Sequence, residues 1–181
     1  MDKKIIAKNF SRYASIYDKY ADVQMQAALG LIFLAKEDNL KNILEFGCGT
    51  GIYTLLLRDK FKRASIRAVD ISDKMIAVAQ EKLKLKGIEF NVADAENISF
   101  DQKFDLITSN ATVQWFEDLG NSLSKFKSML KNGGIVSFSA FGPSTFFELN
   151  SDTKAPQPCL IVTNPDAPSF LRPSRTEIRL A

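Results

Sequence analysis

The stretch Glu45-Phe46-Gly47-Cys48-Gly49-Thr50-Gly51-Ile52 alternates three glycines with other residues, directly after a short apolar run. Such a turn lets a ligand approach the backbone, and a helix following it offers free N–H groups. The dinucleotide pattern G-x-G-x-x-G is not met: the third glycine comes one residue early, and Ile52 stands where that pattern would end. Asp70 closes a second apolar run roughly 20 residues past the loop, where an acid can accept hydrogen bonds from ribose hydroxyls. It could equally assist the start of a helix near Ser72. Asp94 follows a third run and could accept from the amino group of a base, or serve a plain turn. NAD and S-adenosylmethionine both carry a ribose, so the acids alone leave the two open.

Histidine is absent, which removes the commonest general base and the commonest metal ligand. Cys48 and Cys159 lie far apart and form no C-x-x-C pair, so zinc and redox motifs have no support and no metal is expected. A reducing, cytoplasmic setting is the expectation. The net charge of +3 is too small to call for nucleic acid. The apolar run near Met1 is too short for a signal peptide, and none approaches the roughly 20 residues of a membrane span.

The elements that would position these residues alternate. Residues from about Lys8 to Ala35 read as helical, with Phe10, Tyr13, Tyr17 and Tyr20 at spacings of three and four on one face. Those rings either pack on the body of the domain or lid a pocket. Strands are expected at Asn42–Phe46, Ser65–Ile71, Ile88–Val92, Phe104–Ser109 and Ile135–Phe141. Helices are expected from Gly51 to about Phe61, from the cap Ser72 to Lys86, and along the stripe Leu119, Leu123, Phe126, Leu130 up to Asn132-Gly133-Gly134. This alternation predicts an α/β, Rossmann-like, doubly wound and mainly parallel sheet behind an N-terminal helical segment. The expected division is a helical lid over 1–38, a binding core over 39–150 and a divergent tail over 151–181. Every proline lies at or beyond Pro143, and in that tail only Cys159–Thr163 reads as a strand.

As a set, the E-x-G-x-G-x-G loop, Asp70 and Asp94 resemble the class I S-adenosylmethionine-dependent methyltransferases over about Asn42 to Phe141. The resemblance implies that Glu45, Gly47, Gly49 and Gly51 face the methionine part of that cofactor. It implies that Asp70 holds the ribose, that Ile71 and Met75 pack near the adenosine, and that Asp94 and Ala95 face the adenine. S-adenosylhomocysteine would be the product, with no metal involved. Phe10 to Gln24, Ser109-Asn110-Ala111-Thr112-Val113-Gln114-Trp115 and Phe138 to Leu149 look like the malonyl-acyl-carrier-protein O-methyltransferases of biotin synthesis. That narrower resemblance implies Tyr17 over the active site and Asn110 beside the reacting centre and the cofactor. Gln114 and Trp115 would form the substrate wall, although Trp115 could equally be a core residue.

A carboxylate acceptor fits a chain without histidine, since it is ionised at pH 7 and needs no base. The resemblance ends near Leu149 or Asn150. A truncated or divergent end is expected there, with the fifth strand left as a bare edge and cofactor binding outlasting turnover. Three alternatives stay open: another small acid as acceptor, a cofactor-binding remnant without turnover, and a nicotinamide oxidoreductase, which Ile52 disfavours. The partner expected is a small or acyl-carrier-bound acid, with no nucleic acid and no membrane; the oligomeric state is not fixed.

Overall fold

The computed structural model describes residues 2–35, 39–84 and 86–141, and the backbone of 159–163. The stretch from Pro143 to Asn150 and the tail outside 159–163 lie beyond the described residues.

The strands are β1 (Asn42–Phe46), β2 (Ser65–Asp70), β3 (Ile88–Val92), β4 (Phe104–Ser109), β5 (Leu130–Ala140) and β6 (Cys159–Thr163). They form one sheet in the order β3-β2-β1-β4-β5-β6. The first five strands run parallel and β6 runs antiparallel to β5. The order reverses direction between β1 and β4, and at such a switch point the carboxyl ends of the strands open a crevice. The bare fifth edge expected from the sequence is not found: Val136 to Ala140 pair with Thr163 to Cys159.

Alternation along β1 sends successive side chains to opposite faces. Leu44 and Phe46 pack with Leu123, Phe126 and Met129 of α5 (Leu119–Met129), where Phe46 and Phe126 stack at 4.7 Å. Ile43 packs on the other face with α2 (Asp22–Leu34) and α3 (Ile52–Lys60) through Ala28, Leu31, Tyr53 and Leu57. α4 (Asp73–Leu83) begins at Ser72, whose hydroxyl accepts from Met75 N and caps the helix as its sequence predicts.

Three expectations are corrected. The single N-terminal helix divides into α1 (Lys3–Tyr13), a 3-10 turn at Tyr17–Tyr20, and α2. A tertiary tie accounts for the division: Asp18, in that turn, accepts from Thr50 Oγ1 and pairs with Lys82. The four rings therefore share no common face, with Tyr13 50% and Tyr20 78% exposed. Leu130 belongs to β5 and not to the helical stripe, because its pairing with Phe104 starts the strand early. The register shift and Gly133, at φ 74, absorb the extra length.

Gly51 precedes α3 at φ 84, and a Cβ there would lie 2.9 Å from Leu83 Cδ1 and 3.3 Å from Ala79 Cβ of α4. Gly51→Ala is expected to cost about 1–3 kcal/mol through backbone strain and crowding against α4. Urea denaturation monitored by circular dichroism measures that loss.

Candidate active site

The carboxyl ends of β1, β2, β3 and β4 open into one cleft of about 720 Å³, counted out to its mouth. Its floor carries Gly47, Gly49, Asp70, Ile71, Met75, Asp94 and Ala95, and Asn110 stands at its side. A smaller recess lies beside it, shares Tyr17, Gly47, Gly49 and Asn110 with it, and adds Glu45, Cys48 and Thr50. The structure therefore brings together most residues singled out in the sequence.

The glycines divide their work. A Cβ on Gly49 would meet nothing within 4 Å, so this backbone lies open to the cleft. A Cβ on Gly47 would sit 2.0 Å from Thr112 Oγ1, so Gly47 serves the close approach of the β1 and β4 exits. Gly51 lines neither space and serves the packing of α3 on α4. The expectation that all three face the ligand is corrected for Gly51.

Asp70 accepts from Gly49 N and from Ser72 N, each at 2.8 Å. Burial pushes its carboxyl up, and these N–H groups partly offset that. The Ile71 N–H also faces this carboxyl, which still has acceptor capacity for a ligand hydroxyl. Asp94 accepts from Lys3 Nζ at 2.7 Å, from Asn97 Nδ2 at 2.6 Å and from Glu96 N at 3.0 Å.

Lys3 also pairs with Glu96 at 2.7 Å. Burial pushes Glu96 up, but Lys3 and the N–H groups of Asp118 and Glu117 outweigh it and bring the carboxyl down to about 2. Sequence reading missed Lys3 and Glu96, since an acid two residues past Asp94 carries no local signature.

Glu45 has the parity of Ile43, faces the recess and is fully buried. The Thr54 hydroxyl is its neighbour and tempers the effect of burial, but neither of its oxygens reaches a partner at full hydrogen-bond geometry among the described residues. Burial, with Asp70 nearby, raises its pKa to about 8. Burial likewise pushes the Cys48 thiol well up, which suits a small protonated filler.

Asn110 is held at both ends of its amide. Its Nδ2 donates to Gln24 O at 2.9 Å and its Oδ1 accepts from Ser139 Oγ at 2.7 Å. Ala111 follows at φ 51, an uncommon left-handed conformation for a residue with a Cβ, and its N–H donates to Ser139 Oγ. Gln114 lines neither space, because the 3-10 turn Val113–Trp115 directs its amide back to Ala111 O at 2.8 Å. Trp115 does line the cleft. It meets Phe10 edge-to-face at 5.9 Å, and Phe10 meets Tyr17 at 6.1 Å. These three rings roof the cleft. Burial, then Asp70 and Asp18, raise Tyr17 to about 12, so it keeps its phenolic proton at neutral pH.

The folded state holds the Glu45 proton up to about pH 8, whereas the unfolded chain releases it near 4.5. The stability that the protonated Glu45 contributes is therefore fully present below that lower value and is lost as pH rises through the folded one. Glu45→Gln removes this dependence. Its Tm relative to the parent should climb between pH 5 and about pH 8 and level off above that; a constant difference would refute the assignment.

A family model described as a methyltransferase domain matches residues 44–138. The chain is 43% identical over 152 residues to the malonyl-[acyl-carrier protein] O-methyltransferase of Acetivibrio thermocellus, covering 83% of this chain and 54% of that one. It is 41% identical over 162 residues to malonyl-[acyl-carrier protein] O-methyltransferase 2 of Ilyobacter polytropus, covering 88% and 62%. The chain thus spans 54% and 62% of the length of these curated relatives. Among solved structures, an S-adenosylmethionine-dependent methyltransferase from Clostridium acetobutylicum superposes with a TM-score of 0.61 at 30% identity, covering 77% of this chain and 59% of that one.

Proposed function

Because this chain belongs to the methyltransferase domain family, we propose that it moves a methyl group from S-adenosylmethionine to the free carboxylate of malonyl-acyl-carrier protein, in biotin synthesis and in the cytoplasm. The observation that carries the reading is the cleft itself, where an open glycine backbone and two strand-end acids face a triad of rings beside Asn110.

The residues present fit the cofactor. Gly49 leaves room for the aminoacyl end, and Glu45, buried in the adjoining recess, would take a cationic amino group on giving up its proton. Asp70 would hold the ribose hydroxyls. Ile71, Met75 and Ala95 would flank the adenosine, and Asp94 would meet the adenine amino group. When bound, the cofactor supplies a methyl group already activated by its sulfonium sulfur.

The chain's own task is then alignment and exclusion of water. A malonyl carboxylate, with a reference pKa near 4, is ionised at neutral pH and needs no base. Tyr17, kept protonated, can donate a hydrogen bond to that carboxylate without removing a proton from it. Asn110, oriented by Ser139 and the Gln24 carbonyl, would fix the approach beside the reacting centre. Phe10 and Trp115 close the apolar side. The lid over 1–38, the core over 39–150 and the tail over 151–181 remain the proposed division of labour.

Transfer of labelled methyl from S-adenosylmethionine to malonyl carrier protein tests this. The label should be released as methanol by alkali, as from an ester. The profile of kcat should stay flat from about pH 6 to pH 7.5, since the acceptor is already ionised, Tyr17 keeps its proton and Glu45 titrates only near 8. Asn110→Ala should lower kcat on the order of a hundredfold. Alkali-stable label, or a rate that climbs tenfold per pH unit, would contradict the reading.

A further inference from the structure

The helix α1 presents two unlike faces. Lys3, Ile6 and Phe10 line the cleft, and Lys3 is ion-paired to Asp94 and Glu96. Lys4, Lys8 and Arg12, spaced four apart, form a row along the opposite face, and all three are exposed. The row spans about 12 Å at the helical rise. None of the three makes an ion pair among the described residues, and α1 itself contains no acid.

This arrangement works against the helix that carries it. Like charges four apart repel, and Lys4 in the first turn opposes the helix dipole, whereas Arg12 in the last turn suits it. Asp2 caps the helix and accepts from Lys4 N at 2.8 Å, but no carboxylate pairs with the side chains of the row among the described residues. Beside the row stand Ile5, 57% exposed, and Tyr13, whose ring lies 5.5 Å from the Arg12 guanidinium. Arginine and tyrosine next to an apolar side chain are what protein interfaces concentrate.

We propose that this outer face of α1 docks the carrier protein that delivers the malonyl group through an acidic patch on that partner, an assignment that rests on the reading under Proposed function. The charge selects the partner: three cations one helical turn apart match carboxylates four apart along a partner helix. A protein fits better than a lipid surface. A membrane-bound helix turns its apolar stripe outward, whereas α1 turns Ile6 and Phe10 inward to the cleft. Docking on the back of the segment that roofs the cleft also brings the carrier within reach of the mouth.

The test uses the full chain with Lys4→Glu, Lys8→Glu and Arg12→Glu combined, and a second version with glutamine at all three positions in case charge reversal unfolds α1. Retained S-adenosylhomocysteine binding certifies the fold of each. Fluorescence anisotropy with labelled malonyl carrier protein should show affinity weakened about tenfold or more, and the parent's affinity should fall with added salt. KM for the carrier-bound substrate should rise with kcat unchanged, while turnover of malonyl-N-acetylcysteamine, which lacks the protein, should not move. Unchanged carrier affinity in both variants overturns the proposal, as does parent binding to phosphatidylglycerol vesicles in preference to the carrier. If the parent binds carrier protein through the row yet methylates neither substrate, the proposed activity fails and the docking surface stands. If parent and variants methylate carrier-bound malonyl with the same KM, the docking surface fails and the activity stands.

Discussion

The carboxylate of Asp70 joins the three elements that make the cleft. It accepts from Gly49 N in the loop after β1 and from Ser72 N at the head of α4, while its own backbone ends β2. A loop with three glycines has much conformational freedom to lose, so it needs a fixed acceptor to hold one shape. A second bond, from Cys48 N to Val69 O at 3.1 Å, ties the same loop to β2. With the loop pinned, Gly51 can seat α3 against Ala79 and Leu83, and Gly49 is left facing the open cleft. A half-buried carboxyl group held by backbone N–H groups thus sets the floor on which everything else is arranged.

The opposite wall depends on a similar economy at the end of β4. Ser139 of β5 receives Ala111 N and donates to Asn110, so one hydroxyl fixes both the left-handed turn and the amide beside it. The bond from Asn110 to Gln24 O carries that order across to α2. On the other side, Ser11 and Ser72 hydroxyls meet at 2.8 Å and Lys3 reaches Asp94 and Glu96. The N-terminal segment is therefore attached through polar contacts at the rim, with its rings turned inward. Contacts of this kind are exposed enough to open and reclose, as ligand entry requires.

The sheet was legible because its strands are short, apolar and separated by strong punctuation. Asn42–Phe46, Ile88–Val92 and Phe104–Ser109 end where their residues predict. Asp70, Asp94 and Asn110 were legible because each stands at a strand exit, where parallel sheets place their ligand-facing residues. The N-terminal division was not, since Asp18 breaks the helix through Thr50 and Lys82, partners far away in sequence. Long-range pairing also hid the early start of β5 at Leu130 and the pairing of β6 that covers its edge. Gln114 and Gly51 went astray for a subtler reason. Motif spacing places a residue near a site, but only the local turn or the neighbouring helix decides which way it points. Lys3 and Glu96 had no spacing to betray them.

The proposed function requires the cleft above β1, β2 and β4 to receive the methyl donor. Backbone amide NMR of the labelled chain, titrated with S-adenosylhomocysteine, tests it directly. Saturable shifts are expected at Gly49, Ser72 and Ala111, with Gly133 at the far end of the sheet unmoved. Shifts confined to other surfaces, or none from a well-folded sample, would contradict it.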